Sequence, residues 1–186
     1  NTQVQFISGY NVLKGQHEYT EATQIAGGTL AFANDGALPA SSKLWISDGA
    51  SLLVNFDQTI AGILNWAATE ASIVIEGGQK LTIAMPAGGH DSYHTMSAFD
   101  GVISGDGELL VQGTTFDDGL LVPTLLSLGG ANTFTGGTTL SSGILEFADG
   151  ALGSGSVTMD GGQLRWKSGN SQDVSAQIVM PDGRNA

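Results

Sequence analysis

The residues best suited by type and spacing to do chemistry lie in a few short stretches. In Pro86-Ala-Gly-Gly-His90-Asp91-Ser92-Tyr93-His94, two imidazoles stand four residues apart with a carboxylate between them. Neutral histidine and carboxylate are accepted zinc ligands, so the pattern would suit a metal if the backbone held all three groups convergent. That spacing normally works on a helix, whereas here it follows a proline and a Gly-Gly pair. The reading adopted is a loop inserted over residues 86–100, with no metal. Neighbouring carboxylates form the second group, Asp117 with Asp118 and Asp106 with Glu108. Grouped carboxylates hydrolyse sugars by acid-base chemistry. The basic residues that such sites often add, Lys14, Lys43, Lys80, Arg165, Lys167 and Arg184, are scattered along the chain. Asp before Gly is also turn chemistry, because the carboxylate bonds nearby amides. A carbohydrate-active enzyme, a lyase or hydrolase, is therefore kept as the alternative reading.

Other chemistries fail on pattern. No serine occupies a Gly-x-Ser-x-Gly elbow, and Gly105-Asp-Gly-Glu108 lacks the ligand series of a calcium loop. The glycines open no helix, so phosphate-loop and dinucleotide fingerprints are absent. With no cysteine there is no disulfide, thiolate zinc ligand or thiol nucleophile. Trp45, Trp66, Trp166 and Tyr93 would offer sugar-stacking platforms if exposed, and core or end-covering aromatics otherwise. The sequence thus assigns no catalytic, cofactor-binding or metal-ligating residue. Eighteen acidic against 6 basic residues give a net charge of −12, which repels DNA and RNA. The longest apolar candidate for a membrane span, Leu120 to Leu128, is cut by Pro123. Asn1 to Phe6 is no signal peptide, and the chain reads as a mature domain or an excised piece.

The elements that must position these residues are short strands. Gly28–Ala33, Lys43–Ser47, Ser72–Glu76, Lys80–Ala84, Glu108–Gln112, Gly143–Phe147 and Ser156–Asp160 alternate apolar and polar residues between glycine-rich punctuation. The fold class is all-β. A unit of strand, acidic residue, Gly, small residue, any residue, Leu and strand recurs at Trp45–Val54, Ile73–Ile83 and Val157–Trp166, and more loosely at Val102–Val111. A longer pair, Gly28–Leu38 and Gly143–Leu152, differs mainly by one inserted residue. Leu30, Leu52, Leu81, Leu109, Leu128, Leu145 and Leu164 then stand at equivalent places, 17 to 29 residues apart. Such spacing suits a solenoid whose rungs stack while its loops vary. Glycine supplies 28 of 186 residues, about twice the average share, and falls at the corners where backbones turn close together. A solenoid exposes strand edges at both ends, and Met180 to Ala186 shows no cap, so the native protein is expected to continue.

The stretch from Gly129 to Leu164 carries Gly130, Asn132, Thr133, Phe134, Thr135, Gly136, Gly137, Thr138, Thr139, Gly143 and Leu145. It resembles the passenger-associated transport repeat of bacterial autotransporters, in which Gly-x-Asn-Thr-aromatic-Thr-Gly-Gly-Thr-Thr precedes a Gly-x-Leu strand. Residues 129–166 match best, within a single β-helical fragment covering residues 1–186. Thr114 to Thr124 and Pro86 to Asp100 depart from the repeat. The resemblance implies a right-handed parallel β-helix, exported across the outer membrane of a Gram-negative bacterium and displayed on its surface or released. It implies a stalk that supports passenger folding and secretion, and adhesion or autoaggregation. The partners implied are the protein's own C-terminal β-barrel translocator, which this chain lacks, and a host surface, a glycan or another passenger copy. No cofactor is implied.

Overall fold

A computed structural model describes residues 3–19, 21–65, 68–86, 96–114 and 123–181. Its strands follow one another as rungs. The first rung holds β1 (Val4–Phe6) and β2 (Tyr10–Leu13), and the second β3 (Thr23–Ile25) and β4 (Thr29–Phe32). Next come β5 (Lys43–Ile46), β6 (Ser51–Val54) and β7 (Gln58–Ile60), then β8 (Gly62–Asn65), β9 (Ser72–Ile75) and β10 (Lys80–Ala84). The fifth rung is β11 (Met96–Phe99), β12 (Val102–Gly105) and β13 (Glu108–Gln112). The last three carry β14 (Leu125–Leu128) with β15 (Thr138–Leu140), β16 (Ile144–Phe147) with β17 (Val157–Met159), and β18 (Gln163–Trp166) with β19 (Ile178–Val179).

Each strand pairs in parallel with its counterpart one rung away, which produces three sheets: an eight-stranded sheet β1-β3-β5-β8-β11-β14-β16-β18, a six-stranded sheet β7-β10-β13-β15-β17-β19 and a five-stranded sheet β2-β4-β6-β9-β12. This is a parallel β-helix, as expected. We call these the long, middle and short sheets. The short sheet ends at β12, but its path continues as backbone pairing: Thr133 N donates to Ile103 O and Thr135 N to Gly105 O, while Ser154 N donates to Phe134 O.

Alternation within each strand sends every second side chain into the tube, where it stacks on its register partner. Leu30, Leu52, Ile73 and Ile103 form one such column in the short sheet, Leu81 and Leu109 lie in one of the middle sheet, and Leu126, Leu145 and Leu164 in one of the long sheet. All of these but Leu164 are fully buried. The columns correct the leucine series read from sequence. Its seven members lie in three different sheets, and Leu128 pairs with Phe147, not with Leu145. The recurring Asp-Gly unit explains the misreading. It joins β5 to β6 at one corner, β9 to β10 at a second and β17 to β18 at the third. The longer pair likewise starts from β4 in the short sheet and β16 in the long sheet. What repeats in the sequence is corner chemistry, which any of the three corners can use.

All seven strands expected from the pattern are present. Strands β3, β7 and β15 are three residues long and read Thr-Gln-Ile, Gln-Thr-Ile and Thr-Thr-Leu, too short to register as alternation. The loop expected over 86–100 ends sooner, because Met96–Phe99 forms β11 and pairs with β8 and β14. Ser97 and Phe99 fill positions in the wall and core that the rung supplies, and both are buried.

At the repeat-like stretch the glycines are required by proximity. A Cβ on Gly130 would lie 1.9 Å from Gly101 O, and one on Gly136 would lie 2.2 Å from Gly107 O. Backbones cross at these corners with no room for a side chain.

Candidate functional site

The alternation that buries one face of each strand leaves an outer row on each sheet. Along the long sheet the register runs Gln5, Gln24, Trp45, Leu64, Ala98, Ser127, Glu146, Arg165. At one end Gln24 Oε1 accepts from the side-chain amides of Gln3 and Gln5, both at 3.1 Å. At the other end Arg165 Nε donates to Glu146 Oε2 at 2.8 Å, and Ser127 Oγ donates to Glu146 Oε1 at 3.2 Å. The middle sheet presents Thr59, Thr82, Leu110, Thr139 and Thr158 in register.

The aromatic candidates divide. Trp166 follows Phe147 in the inward register, its ring packs 5.1 Å from that of Phe147, and its indole N–H donates to Gln172 O. It covers the end of the described stack. Trp45 faces outward and is 48% exposed. With Leu64, Ala68, Ser47, Asp48 and Asn65 it lines a depression of about 290 Å³ at the corner between the long and short sheets. Trp66, Tyr93, the His90–His94 pair, Asp117, Asp118 and Arg184 lie outside the described residues.

Asp106 and Glu108 do come together, in a depression of about 290 Å³ shared with Asp57, Gln79 and Lys80. Lys80 Nζ stands 3.6 Å from Glu108 Oε2, so one of the scattered bases does meet a carboxylate here. The acids are tied into the wall: Asp57 Oδ1 accepts from Lys80 N at 2.7 Å, and Asp106 Oδ1 accepts from Thr135 Oγ1 at 2.7 Å. Each bond joins neighbouring rungs, and both leave the acid holding a corner. Lys167 reaches back along the same corner past Gly129 and Ala148 to stand 3.5 Å from Asp100. Among the described residues, no three His, Asp or Glu side chains converge as a metal site.

Amide side chains hold the corners instead, and of these only Asn132 stands in a motif singled out from the sequence. Asn132, buried, accepts from Ile103 N at 2.7 Å through Oδ1 and donates to Ala151 O at 2.6 Å through Nδ2. It therefore bridges the rung on each side. Asn55 pairs both its amide groups with the backbone of Phe32, each at 2.9 Å. Gln58 accepts from Leu38 N and donates to Asn34 O, each at 3.0 Å. Asn65 donates to Ile46 O, Asn170 to Phe147 O, and Gln177 to both Gly153 O and Gly155 O. An amide carries a donor and an acceptor, so it can replace the peptide group that a broken ladder lacks. The available signal was an Asn or Gln at or just beyond the end of a strand, with partners roughly one rung away.

Burial shifts two titrating groups in this wall. It pushes the Tyr19 phenol up, opposed by a hydrogen bond with Thr23, and pulls the Lys43 ammonium down. In each case leaving water disfavours the charged form. Asp173 is held low by the Ser175 backbone and hydroxyl.

Comparison with known proteins follows the same direction. Over 153 residues, 82% of the chain, the sequence is 34% identical to the adhesin BmaC autotransporter of Brucella suis biovar 1 (strain 1330). The matched stretch is 4% of that protein's length. No family model matches the chain, and no solved structure matches it significantly.

Proposed function

We propose that the chain is a segment of an autotransporter passenger, a β-helical stalk on the bacterial cell surface or released from it. It acts in passenger folding and secretion and in adhesion or autoaggregation. The observation that carries this reading is the in-register parallel pairing of β15 with β17 and of β16 with β18 within the residues resembling the transport repeat. The similarity to an adhesin autotransporter supports it. A completed rung presents open strand edges on which the next rung can pair and bury its column residues, so folding templates itself along the axis. With the chain emerging outward, each added rung would hinder back-sliding and draw further chain out. The partners on this reading are the protein's own C-terminal β-barrel during export, then a host surface, a glycan or a second passenger copy. Nucleic acid is not among them, given the net charge of −12.

Leu145→Asp and Phe147→Asp in the intact parent protein test the reading. Both residues are fully buried in the stack, and each change places a carboxylate in the core. Surface exposure, measured by antibody binding to intact cells, is expected to fall sharply while total synthesis stays constant. Normal display by variants whose purified passengers unfold at lower denaturant would refute the coupling of stacking to export.

A further inference from the structure

We propose that the Trp45 corner is a binding site for a neutral saccharide. This deepens the adhesive part of the function proposed above and rests on that reading for its biological setting, but its physical basis is local. Sugar recognition needs an aromatic face for the C–H surface of a pyranose ring and polar groups at the rim for its hydroxyls. Trp45 supplies the face. It is the one exposed aromatic in the outer row of the long sheet, held rigidly because Leu44 and Ile46 on either side are fully buried. Leu64 and Ala68 extend the apolar floor, and Ser47 and Asp48 stand at the rim. The Asp48 carboxylate accepts from Glu70 N through Oδ1 at 2.9 Å, which fixes its orientation at the rim. One rung away, Gln24 lies in register with Trp45 and adds a side-chain amide along the helix axis.

Size and charge select the occupant. A depression of about 290 Å³ suits one or two sugar rings and lies at the lower end of small-ligand sites. A stable protein partner needs roughly 800 Å² on each side. The apolar patch is too short for that, because the row beyond Leu64 passes through buried Ala98 and Ser127 to the Glu146–Arg165 ion pair. Asp48 at the rim and exposed Glu70 beside it repel sulfated or carboxylated glycans, so the ligand is uncharged.

The test uses the purified 186-residue chain. Cellotetraose, maltotetraose and chitotetraose are titrated by isothermal calorimetry, with a heparin tetrasaccharide as the anionic control. At least one neutral tetrasaccharide is expected to saturate the signal. Trp45→Ala should weaken that binding at least tenfold, and Trp45→Phe should retain part of it. Both variants should melt like the parent, because the ring lies outside the core. No saturable binding by any neutral tetrasaccharide, unchanged affinity in Trp45→Ala, or equal binding of heparin would each overturn the proposal. Sedimentation of the parent and Trp45→Ala gives the other occupant: self-association lost with Trp45 would assign the patch to a second copy and refute the saccharide. Failure of export in cells would leave this result standing, so the two readings fail separately.

Discussion

Replacing Asn132 by Ala isolates the contribution of the amide seam. The side chain satisfies Ile103 N–H and Ala151 C=O, which belong to different rungs, and both of those residues are fully buried. Removal leaves two buried backbone groups without partners, at roughly 1–3 kcal/mol each. Deleting the amide also removes its own desolvation, so the net loss is expected near the lower part of that sum, about 2–4 kcal/mol. Asn132→Asp sharpens the test. It keeps an acceptor for Ile103 N–H but sets a carboxylate oxygen against the Ala151 carbonyl, so at neutral pH it should cost at least as much as Ala. Protonation restores a donor. The buried acid therefore has a raised folded pKa, and the stabilising contribution is present at low pH and lost as pH rises through that value. Urea titrations should show a lower midpoint with an unchanged slope, and amide exchange should accelerate first at Ile103 and Ala151, since a solenoid loses stability locally. A loss below about 0.5 kcal/mol for Asn132→Ala, or an Asp variant insensitive to acid, would refute the assignment of the seam.

Further expectations can be measured on the same protein. Gly130→Ala, whose Cβ would sit 1.9 Å from Gly101 O, should cost more than about 2 kcal/mol by overpacking against backbone. Gly49→Ala, at φ +72° in open space, should lose only about 1–2 kcal/mol of left-handed backbone preference. Phe147→Ala should cost roughly 3–5 kcal/mol in chemical unfolding and shift Trp166 emission to the red as its stacking partner disappears. In alkaline unfolding the two wall groups act oppositely. The raised Tyr19 pKa gives stability that is lost as pH climbs above about 10. The lowered Lys43 pKa gives stability that is present above about 10.5 and lost as pH falls through its folded value. Tyr19→Phe should flatten the first dependence and Lys43→Met the second.

Much of the architecture is legible in the residues because strand alternation and Asp-Gly corners are local signals. Lys80–Ala84 and Glu108–Gln112 can be read as strands on their own, and they turn out to be neighbours in one sheet. Sheet membership is not legible, because Asp48-Gly49 and Asp160-Gly161 make similar turns at different corners. Nor is the short run Gln58–Ile60, which is a strand because a rung on one side offers it a partner. Asn132 was visible as part of a resemblance, while its bridging of two rungs needed coordinates. The outward face of Trp45 depended on register in the same way, since its neighbours in the row come from residues 24 and 64.

The parallel register itself is open to direct measurement, because the chain has no cysteine and an introduced pair reports unambiguously. Thr139 and Thr158 are register partners on the outer face of the middle sheet, which places their Cα atoms about 4.8 Å apart, within the range a disulfide accepts. Thr139→Cys with Thr158→Cys should oxidise readily and intramolecularly. Thr139→Cys with Val157→Cys, whose second side chain points into the core, should stay reduced. Equal crosslinking of both pairs, or crosslinking of the second alone, would contradict the stacked-rung architecture from which every conclusion here descends.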